Sequence, residues 1–327
     1  MPTAGRLRYP YTKSIWITAK TEEDWHKLRG DDITATDAAA LFGVSPYSTP
    51  FELYHRKAGT LEVSFETTER MLWGQRLQNA IAEGICADRG WKIINRSPWL
   101  YVRSPHFVGM GASPDYIIHS PERGVGLLEI KNVDWRIAKD GWSKEEAPVH
   151  IELQIQHQLE CSQLSWGAIG GLIGGNEAQV FERERDTEVG AEIGNRVMDM
   201  LRRVRDNDPP GPNYLDDFDV IKRIYRDAMP GKVMDLSDPA HSVMAAHIKE
   251  LCAAERAADA AMKLAEEDKK RAQAELIVIM NDHERVSGMK EFRLSAVTVH
   301  TPEQTVTRRA SSYRRLTITP VKESASA

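Results

Sequence analysis

The chain has 327 residues, of which 41% are hydrophobic and 28% are charged, so it holds enough apolar side chains for one large domain or two smaller ones. No run approaches the roughly 20 apolar residues of a membrane helix, and the first residues lack the apolar stretch of a signal peptide, so we expect a cytoplasmic protein without a membrane anchor. The three cysteines, Cys86, Cys161 and Cys252, are far apart, which argues against a disulfide framework, a zinc site or a four-cysteine iron–sulfur cluster. A formal net charge of −5 argues against nucleic-acid binding through the overall field but is compatible with a local basic groove.

The first predicted elements are two short helices, Asp24–Arg29 and Ile33–Gly43. In the second, Thr36 is a good N-cap and Gly43 a natural stop. An arginine ahead of a helix N-terminus is a ready phosphate site, which makes Arg29 and Thr36 candidates for binding a phosphate. The same two residues also fit an ordinary helix cap beside a surface arginine.

Two further helices are predicted at Phe51–Lys57 and Thr68–Asp88. On the longer one, Gln78 shares a stripe at helical spacing with glycine and isoleucine residues. A buried amide needs hydrogen-bond partners, and a metal ion or a water in an active site is one kind of partner.

A hairpin carrying two carboxylates and a lysine follows two predicted strands at 91–94 and 99–103. Asp115 begins its first strand, residues 120–124 form a turn with proline and glycine, and Gly126–Lys131 is the second strand. Because side chains alternate along a strand, Glu129 and Lys131 share one face. Two carboxylates form a hard, oxygen-rich site suited to Mg²⁺ or Mn²⁺, and a lysine beside them serves phosphodiester hydrolysis. The alternative is a solvated strand edge, but the apolar neighbours of Glu129 predict burial, where an acid needs a partner.

The stretch 132–144 reads as a loop that mixes cations with two tryptophans. Trp135, Lys139 and Trp142 are candidates for contacting DNA through stacking and phosphate binding. The loop is equally compatible with aromatics that pin it to the body of the protein.

The elements after this loop alternate between helix and strand. A helix over His150–Leu164 presents Gln154 and Gln158 at i and i+4, and the later elements are strands at 166–174 and 178–185 and a helix at 188–206. This order predicts a mixed sheet flanked by helices.

Three regions are predicted: a core at 1–208, a linker with a short helix at 209–237, and a C-terminal region at 238–327. A helix from Asp238 to about Asn281 carries an alanine-rich heptad seam that favours packing against another helix, within the subunit or in a second one. Strands at 292–299 and 313–319 are predicted to pair, and residues 301–327 form a basic tail that would bind DNA or a protein partner.

Four motifs in sequence order give the chain a family resemblance. They are WHKLR from Trp25 with ITAT ending at Thr36, WGxxLQ from Trp73, SPD ending at Asp115 with EIK from Glu129, and QIQHQ from Gln154. With these residues the chain resembles the YqaJ-type viral recombinases, phage exonucleases similar to lambda exonuclease within the PD-(D/E)XK nuclease superfamily. The likeness runs from about residue 25 to 188, and the later regions resemble the C-terminal extension of larger members.

The resemblance implies a restriction-endonuclease-like core and assigns roles to its residues. Asp115, Glu129 and the Ile130 backbone carbonyl would bind the metal, with Gln78 as a further candidate. Lys131 would position or activate the attacking water, and Gln154 would place the nucleophile or the lysine. Arg29 and Thr36 would hold a DNA 5′-phosphate. The family usually has a glutamate where this chain has Gln78, so less charge is available here for a second metal.

The resemblance also implies a function: a Mg²⁺-dependent deoxyribonuclease, with Mn²⁺ able to substitute, that digests linear duplex DNA from 5′ ends and leaves 3′ single-stranded tails for recombination. It implies a homo-oligomeric ring, a single-strand annealing protein as partner, and a phage or prophage origin in a bacterial cell. Two alternatives stay open: a DNA-end-binding module with weak or no catalysis, favoured by Gln78, and an endonuclease of the same superfamily.

Overall fold

The computed structural model describes residues 6–7, 12–62, 67–138 and 141–300. It divides into two compact units, Met1–Ile224 and Tyr225–Ala327, and the division falls inside the predicted segment 209–237. Within the described ranges, no helix is long and apolar enough to cross a membrane.

The first unit combines strands and helices along the chain. Its strands are β1 (Arg6–Leu7), β2 (Ile15–Thr18), β3 (Ile33–Thr34), β4 (Lys92–Asn95), β5 (Leu100–Arg103), β6 (Met110–Ala112), β7 (Tyr116–Ser120), β8 (Gly124–Val133), β9 (Trp166–Ile173) and β10 (Glu177–Glu184). Its helices are α1 (Glu22–Asp31), α2 (Ala38–Leu41), α3 (Pro50–Lys57), α4 (Glu69–Arg89), α5 (Trp135–Ala138), α6 (Val149–Ser162), α7 (Thr187–Asp206) and α8 (Phe218–Ile224).

The predicted hairpin with Asp115 and Glu129 is formed by β7 and β8. It lies inside a five-stranded sheet with the order β10, β9, β8, β7 and β4. β7 and β8 pair antiparallel, whereas β8 and β9 pair parallel. A parallel pair needs a crossover, and α6 lies in the connection between β8 and β9. The predicted mixed sheet flanked by helices is therefore confirmed.

Two apolar clusters cover the two faces of this sheet. Leu128 of β8 belongs to a buried cluster with Ile85 of α4, whereas its neighbour Leu127 belongs to another with Ile155 of α6. Successive strand residues point to opposite faces, so α4 and α6 cover opposite faces of β8. Glu129 is two residues after Leu127 on the strand, so its side chain lies on the same face and points towards α6.

A second sheet has the order β1, β2, β5, β6 and β3, of which the sequence predicts only β5. Its other strands contain two to four residues, which is too few to show an alternating pattern. β6 ends at Ala112, so the chain leaves this sheet three residues before Asp115, which directly precedes β7.

Two local predictions are wrong, and a third stays a prediction. The cap near residue 36 is Thr34, because β3 ends there and its hydroxyl binds Asp37, which leaves Thr36 inside a 3₁₀ turn over Ala35–Asp37. Part of the predicted loop after β8 is the short helix α5. The strand at 294–295 pairs with residues 285–286, and its predicted partner at 313–319 lies outside the described residues.

The second unit is built on α9 (Ser242–Met280), preceded by a 3₁₀ turn over Pro239–His241. The predicted long helix is therefore confirmed. A short antiparallel pair, β11 (Arg285–Val286) and β12 (Leu294–Ser295), follows it. The packing of the alanine-rich seam of α9 against another helix, within the subunit or in a second one, stays a prediction.

Candidate active site

Asp115, the residue directly before β7, and Glu129 of β8 lie at the same end of the hairpin. The register pairs Tyr116 with Leu128, so the chain continues directly to Asp115 opposite Glu129. The Ile130 N–H donates to Asp115 Oδ2 at 2.8 Å, which fixes that carboxylate against β8. The sequence alone predicted that these two acids converge.

Glu129 is only 3% exposed and accepts hydrogen bonds at both carboxylate oxygens. Lys131 Nζ lies 2.7 Å from Oε1, and Gln154 Nε2 lies 2.6 Å from the same oxygen. Gln158 Nε2 donates to Oε2 at 2.8 Å. These donors compensate the cost of burying a charge and hold the carboxylate in one orientation.

Lys131 is bound from two sides. Its Nζ contacts Glu129 Oε1 and also donates to Gln154 Oε1 at 3.0 Å. Burial alone would lower the pKa of Lys131, but the charges of Glu129 and Asp115 outweigh burial and raise the pKa above its ordinary value. The side chain is therefore an ammonium ion at neutral pH, suited to orienting a group and to neutralising negative charge rather than to accepting a proton.

Asp115 is the acid whose protonation is most perturbed. Burial and then the charge of Glu129 raise the pKa of Asp115 to about 7, against the lowering effects of Lys131, the Ile130 N–H and a hydrogen bond from Gln78. Two acids in one buried place repel each other, and a divalent cation removes that repulsion. The amide of Gln78 binds Asp115, and the metal ion or water expected as its partner stays a prediction.

The available donors fit a hard divalent metal ion bound by few protein groups. They are carboxylate, carbonyl and amide oxygens from Asp115, Glu129, Ile130 and Gln78, the ligand type that Mg²⁺ prefers. Among the residues that the structure describes, no three His, Cys, Asp or Glu side chains form a group able to hold a metal. A metal here would depend on two carboxylates, as the presence of Gln78 suggests.

Arg29 is connected to the segment that carries Asp115. Its guanidinium stands 4.5 Å from the ring centroid of Trp25, and Trp25 Nε1 donates to Ser113 Oγ at 2.9 Å. Helix α1 is therefore tied to the chain two residues ahead of Asp115.

Thr36 and Arg29 both connect to a charged cluster that the sequence did not reveal. Thr36 Oγ1 lies 2.9 Å from Thr34 Oγ1, which in turn donates to Asp37 Oδ2. Lys57 Nζ lies 4.0 Å from that oxygen and donates to the Arg29 carbonyl at 3.1 Å.

Asp37 of this cluster stays ionised. Burial would raise its pKa, but Arg56, whose Nη2 lies 2.9 Å from Asp37 Oδ1, and Lys57 outweigh burial and lower the pKa. We define Arg29, Thr36, Asp37, Arg56 and Lys57 as the α1–α3 cluster. Three cations against one anion give it a net positive charge, which suits a phosphate.

The three candidate DNA contacts after β8 differ in their surroundings. Trp142 packs against the core, with its ring 5.9 Å from that of Phe181, as expected of a residue that pins a loop. Trp135 is 55% exposed and lies beside Arg136, whose guanidinium is 5.8 Å from its ring centroid. Lys139 lies outside the described residues.

Gln158 is the main residue missing from the predicted site. The sequence shows its i, i+4 spacing to Gln154, and that spacing puts both amides on one face of α6. Arg56 and Lys57 had no such signal, because a contact between α3 and the 3₁₀ turn near residue 36 leaves no local periodicity.

Comparison with known proteins gives one family match and one relative in sequence. Residues 24–165 match the family model of the YqaJ-like viral recombinase domain. The protein YqaJ of Bacillus subtilis (strain 168) is 29% identical over 184 residues, which cover 54% of this chain and 56% of that relative.

Two solved structures show weaker likeness. An alkaline exonuclease from Laribacter hongkongensis is 20% identical, covers 61% of this chain and 98% of its own, and has a TM-score of 0.47. A phage-related exonuclease from Haemophilus somnus is 13% identical, covers 54% of this chain and 94% of its own, and has a TM-score of 0.35.

The sequence match spans both parts of the site. It begins at residue 24, one residue before Trp25, and ends at residue 165, beyond Gln158. The α1–α3 cluster and the residues around Glu129 both fall inside it. Residues 24–165 of this chain are therefore similar to the YqaJ-like viral recombinase domain, and the matched part spans about half the length of the Bacillus subtilis relative.

Proposed function

We propose that the chain is a metal-dependent deoxyribonuclease that degrades linear duplex DNA from 5′ ends and leaves 3′ single-stranded tails for recombination. The observation that carries the proposal is the arrangement of Lys131 between Glu129 and Gln154, beside the half-buried Asp115. Carboxylates for a cation and a fixed ammonium ion next to them are the groups that phosphodiester hydrolysis uses.

The chain's own residues supply binding and orientation. Asp115, Glu129, the Ile130 carbonyl and Gln78 would hold Mg²⁺ or Mn²⁺. A bound divalent ion offsets charge on the phosphate oxygens and lowers the pKa of a coordinated water. The Lys131 ammonium ion orients the attacked phosphate and neutralises the charge that develops on it.

Gln154 is a positioning residue in this account. Its amide donates to Glu129 at 2.6 Å and accepts from Lys131 at 3.0 Å, so it fixes the distance between the two. Gln158 holds the other oxygen of Glu129. Since α6 carries both amides, the helix sets the geometry of β8 at this point.

The α1–α3 cluster supports the proposed 5′ preference. Its net positive charge and its connection through Trp25 to Ser113 would hold a terminal phosphate on the chain segment that leads to Asp115. Trp135 is a further candidate for contacting DNA. The homo-oligomeric ring and the single-strand annealing partner are proposals drawn from the family resemblance.

The test is digestion of linear duplex DNA carrying a 5′-phosphate or a 5′-hydroxyl, with Mg²⁺, Mn²⁺ or EDTA. We expect metal-dependent loss of one strand that is faster with the phosphate and absent in Lys131→Ala. Lys92→Ala, at an exposed lysine of the same sheet, is the matched control and should digest like the wild type. If the folded wild type digests no DNA with either metal, the proposed deoxyribonuclease activity is wrong.

Two other functions are distinguished by this experiment together with a closed circular DNA substrate. Tight binding of DNA ends without any product would favour an end-binding module, the alternative that Gln78 motivates. Cutting of closed circular DNA would favour an endonuclease.

A further inference from the structure

Tyr47 is a large aromatic side chain that is 81% exposed in the loop between α2 and α3. Its ring meets that of His150 edge to face, with centroids 5.8 Å apart and an interplanar angle of 86°. His150 lies four residues before Gln154 on α6, so the ring pair stands one helical turn from the residue that holds Lys131.

Both rings are close enough to Lys131 to interact with it electrostatically. The phenol of Tyr47 adds to the rise in the pKa of Lys131, after the larger effects of burial, Glu129 and Asp115. Burial and then the charge of Lys131 lower the pKa of His150, so its imidazole is neutral at pH 7. A neutral imidazole beside an ammonium ion is a poor anion ligand and a good aromatic surface.

The loop that carries Tyr47 is tied down at several points. The Tyr47 N–H donates to Ser45 Oγ at 3.2 Å, and Ser48 Oγ accepts from Arg56 Nη2 at 3.5 Å. Thr49 Oγ1 caps α3 by accepting the Glu52 N–H, and it also donates to the buried Asp217. Hydrogen bonds therefore fix the loop that carries the exposed Tyr47 ring.

The same loop spans the two parts of the site. At one end Arg56 binds both Ser48 and Asp37 of the α1–α3 cluster. At the other end the Tyr47–His150 ring pair lies one helical turn from Gln154, whose amide oxygen accepts from Lys131 Nζ. A terminal nucleotide with its 5′-phosphate in the cluster and its other phosphate at Lys131 would place its base against the ring pair.

We propose that Tyr47, supported by His150, stacks on the base of the 5′-terminal nucleotide. The inference rests on the proposed function and adds a base-binding subsite to it. Stacking is tolerant of sequence because every base has a π face. Such a subsite would therefore hold any terminal nucleotide in register without selecting one base.

The test uses 2-aminopurine, whose fluorescence falls on stacking, at the 5′-terminal position of a phosphorylated duplex. EDTA keeps the DNA intact in the presence of the wild-type protein, and binding is followed separately by anisotropy of a distant label. We expect the terminal probe to be quenched on binding, and the quenching to be lost in Tyr47→Ala. That change should also weaken binding by about tenfold.

The conservative changes separate stacking from a general effect on structure. Tyr47→Phe keeps the ring and should keep the quenching, as should His150→Phe, whereas His150→Ala should reduce it. Tyr214→Ala removes another tyrosine that is 77% exposed and should change nothing. A probe in the middle of the duplex should be insensitive to every variant.

The failures are distinguishable. Terminal quenching that persists without the Tyr47 ring, while DNA still binds, would overturn the subsite and leave the nuclease standing. Failure of the wild-type protein to bind any linear DNA end would overturn the proposed function, and the subsite with it.

Discussion

Replacing the buried histidine of α6 should make the protein less sensitive to acid. His157 is fully buried, and its Nε2 lies 3.0 Å from the Gly111 carbonyl. A carbonyl only accepts, so Nε2 carries the proton, and Nδ1 has no hydrogen-bond partner among the described residues. Protonation would place a second N–H in a buried position without an acceptor.

The magnitude follows from the pKa. Burial lowers the pKa of His157 to about 4, although the Gly111 carbonyl and the charge of Asp37 act in the opposite direction. The unfolded chain takes up this proton near pH 6.5. It therefore binds more protons than the folded chain between these values, and stability falls as the pH falls through that window. The loss from this group is about 2 kcal/mol between pH 7.5 and pH 5, and about 3 kcal/mol by pH 4.

The assay is urea unfolding at pH 7.5 and pH 5, followed by tryptophan fluorescence, since all eight tryptophans lie in the first unit. In His157→Gln, whose amide can still donate to Gly111, the difference between the two free energies should shrink by about 2 kcal/mol. His119→Gln, at an exposed histidine of β7, is the matched control and should behave like the wild type. An unchanged difference in His157→Gln would refute the reasoning.

Three further predictions concern single side chains. Gln154→Leu removes the bridge between Glu129 and Lys131, and the cleavage rate under saturating DNA should fall by about 10². Asp217→Ala leaves the Thr49 hydroxyl and the Asn213 N–H without their buried acceptor, and urea unfolding should show a loss of about 1–3 kcal/mol. Gln78→Glu adds a third carboxylate beside Asp115 and should tighten Mg²⁺ binding in calorimetric titration.

Each has its own check. Gln156, on the same helix, binds backbone groups of Glu184 and Asp186, so Gln156→Leu should cost stability but not rate, and equal rate losses would contradict the role of Gln154. Asp217→Asn keeps one acceptor and should cost less than Asp217→Ala. Unchanged or weaker Mg²⁺ binding in Gln78→Glu would count against Gln78 as a metal-site residue.

The hairpin was predictable because its signals are local. Alternation along β8 places Glu129 and Lys131 on one face, a proline–glycine turn closes the hairpin, and helical spacing places Gln154 and Gln158 together. In the structure, the α6 face with Gln154 and Gln158 contacts the β8 face with Glu129 and Lys131. Periodicity alone does not specify this contact between helix and strand.

The parts that were missed depend on contacts between distant segments. The local pattern predicted Thr36 as the cap, but the parallel pairing of β3 with β6 ends the strand at Thr34, which caps the turn instead. Arg56 and Lys57 join the α1–α3 cluster only because α3 folds back on the 3₁₀ turn that contains Asp37. The strands of the second sheet are too short to carry a period.

The most direct measurement of the central claim is the initial rate of nucleotide release from a 5′-phosphorylated linear duplex, for the wild type and Glu129→Gln in Mg²⁺. Glu129 is the acid that Lys131, Gln154 and Gln158 all hold, and the substitution keeps its shape while removing its charge. We expect Mg²⁺-dependent release by the wild type and a fall of about 10² or more in the folded variant. Equal rates for the two proteins would contradict an active site at Glu129.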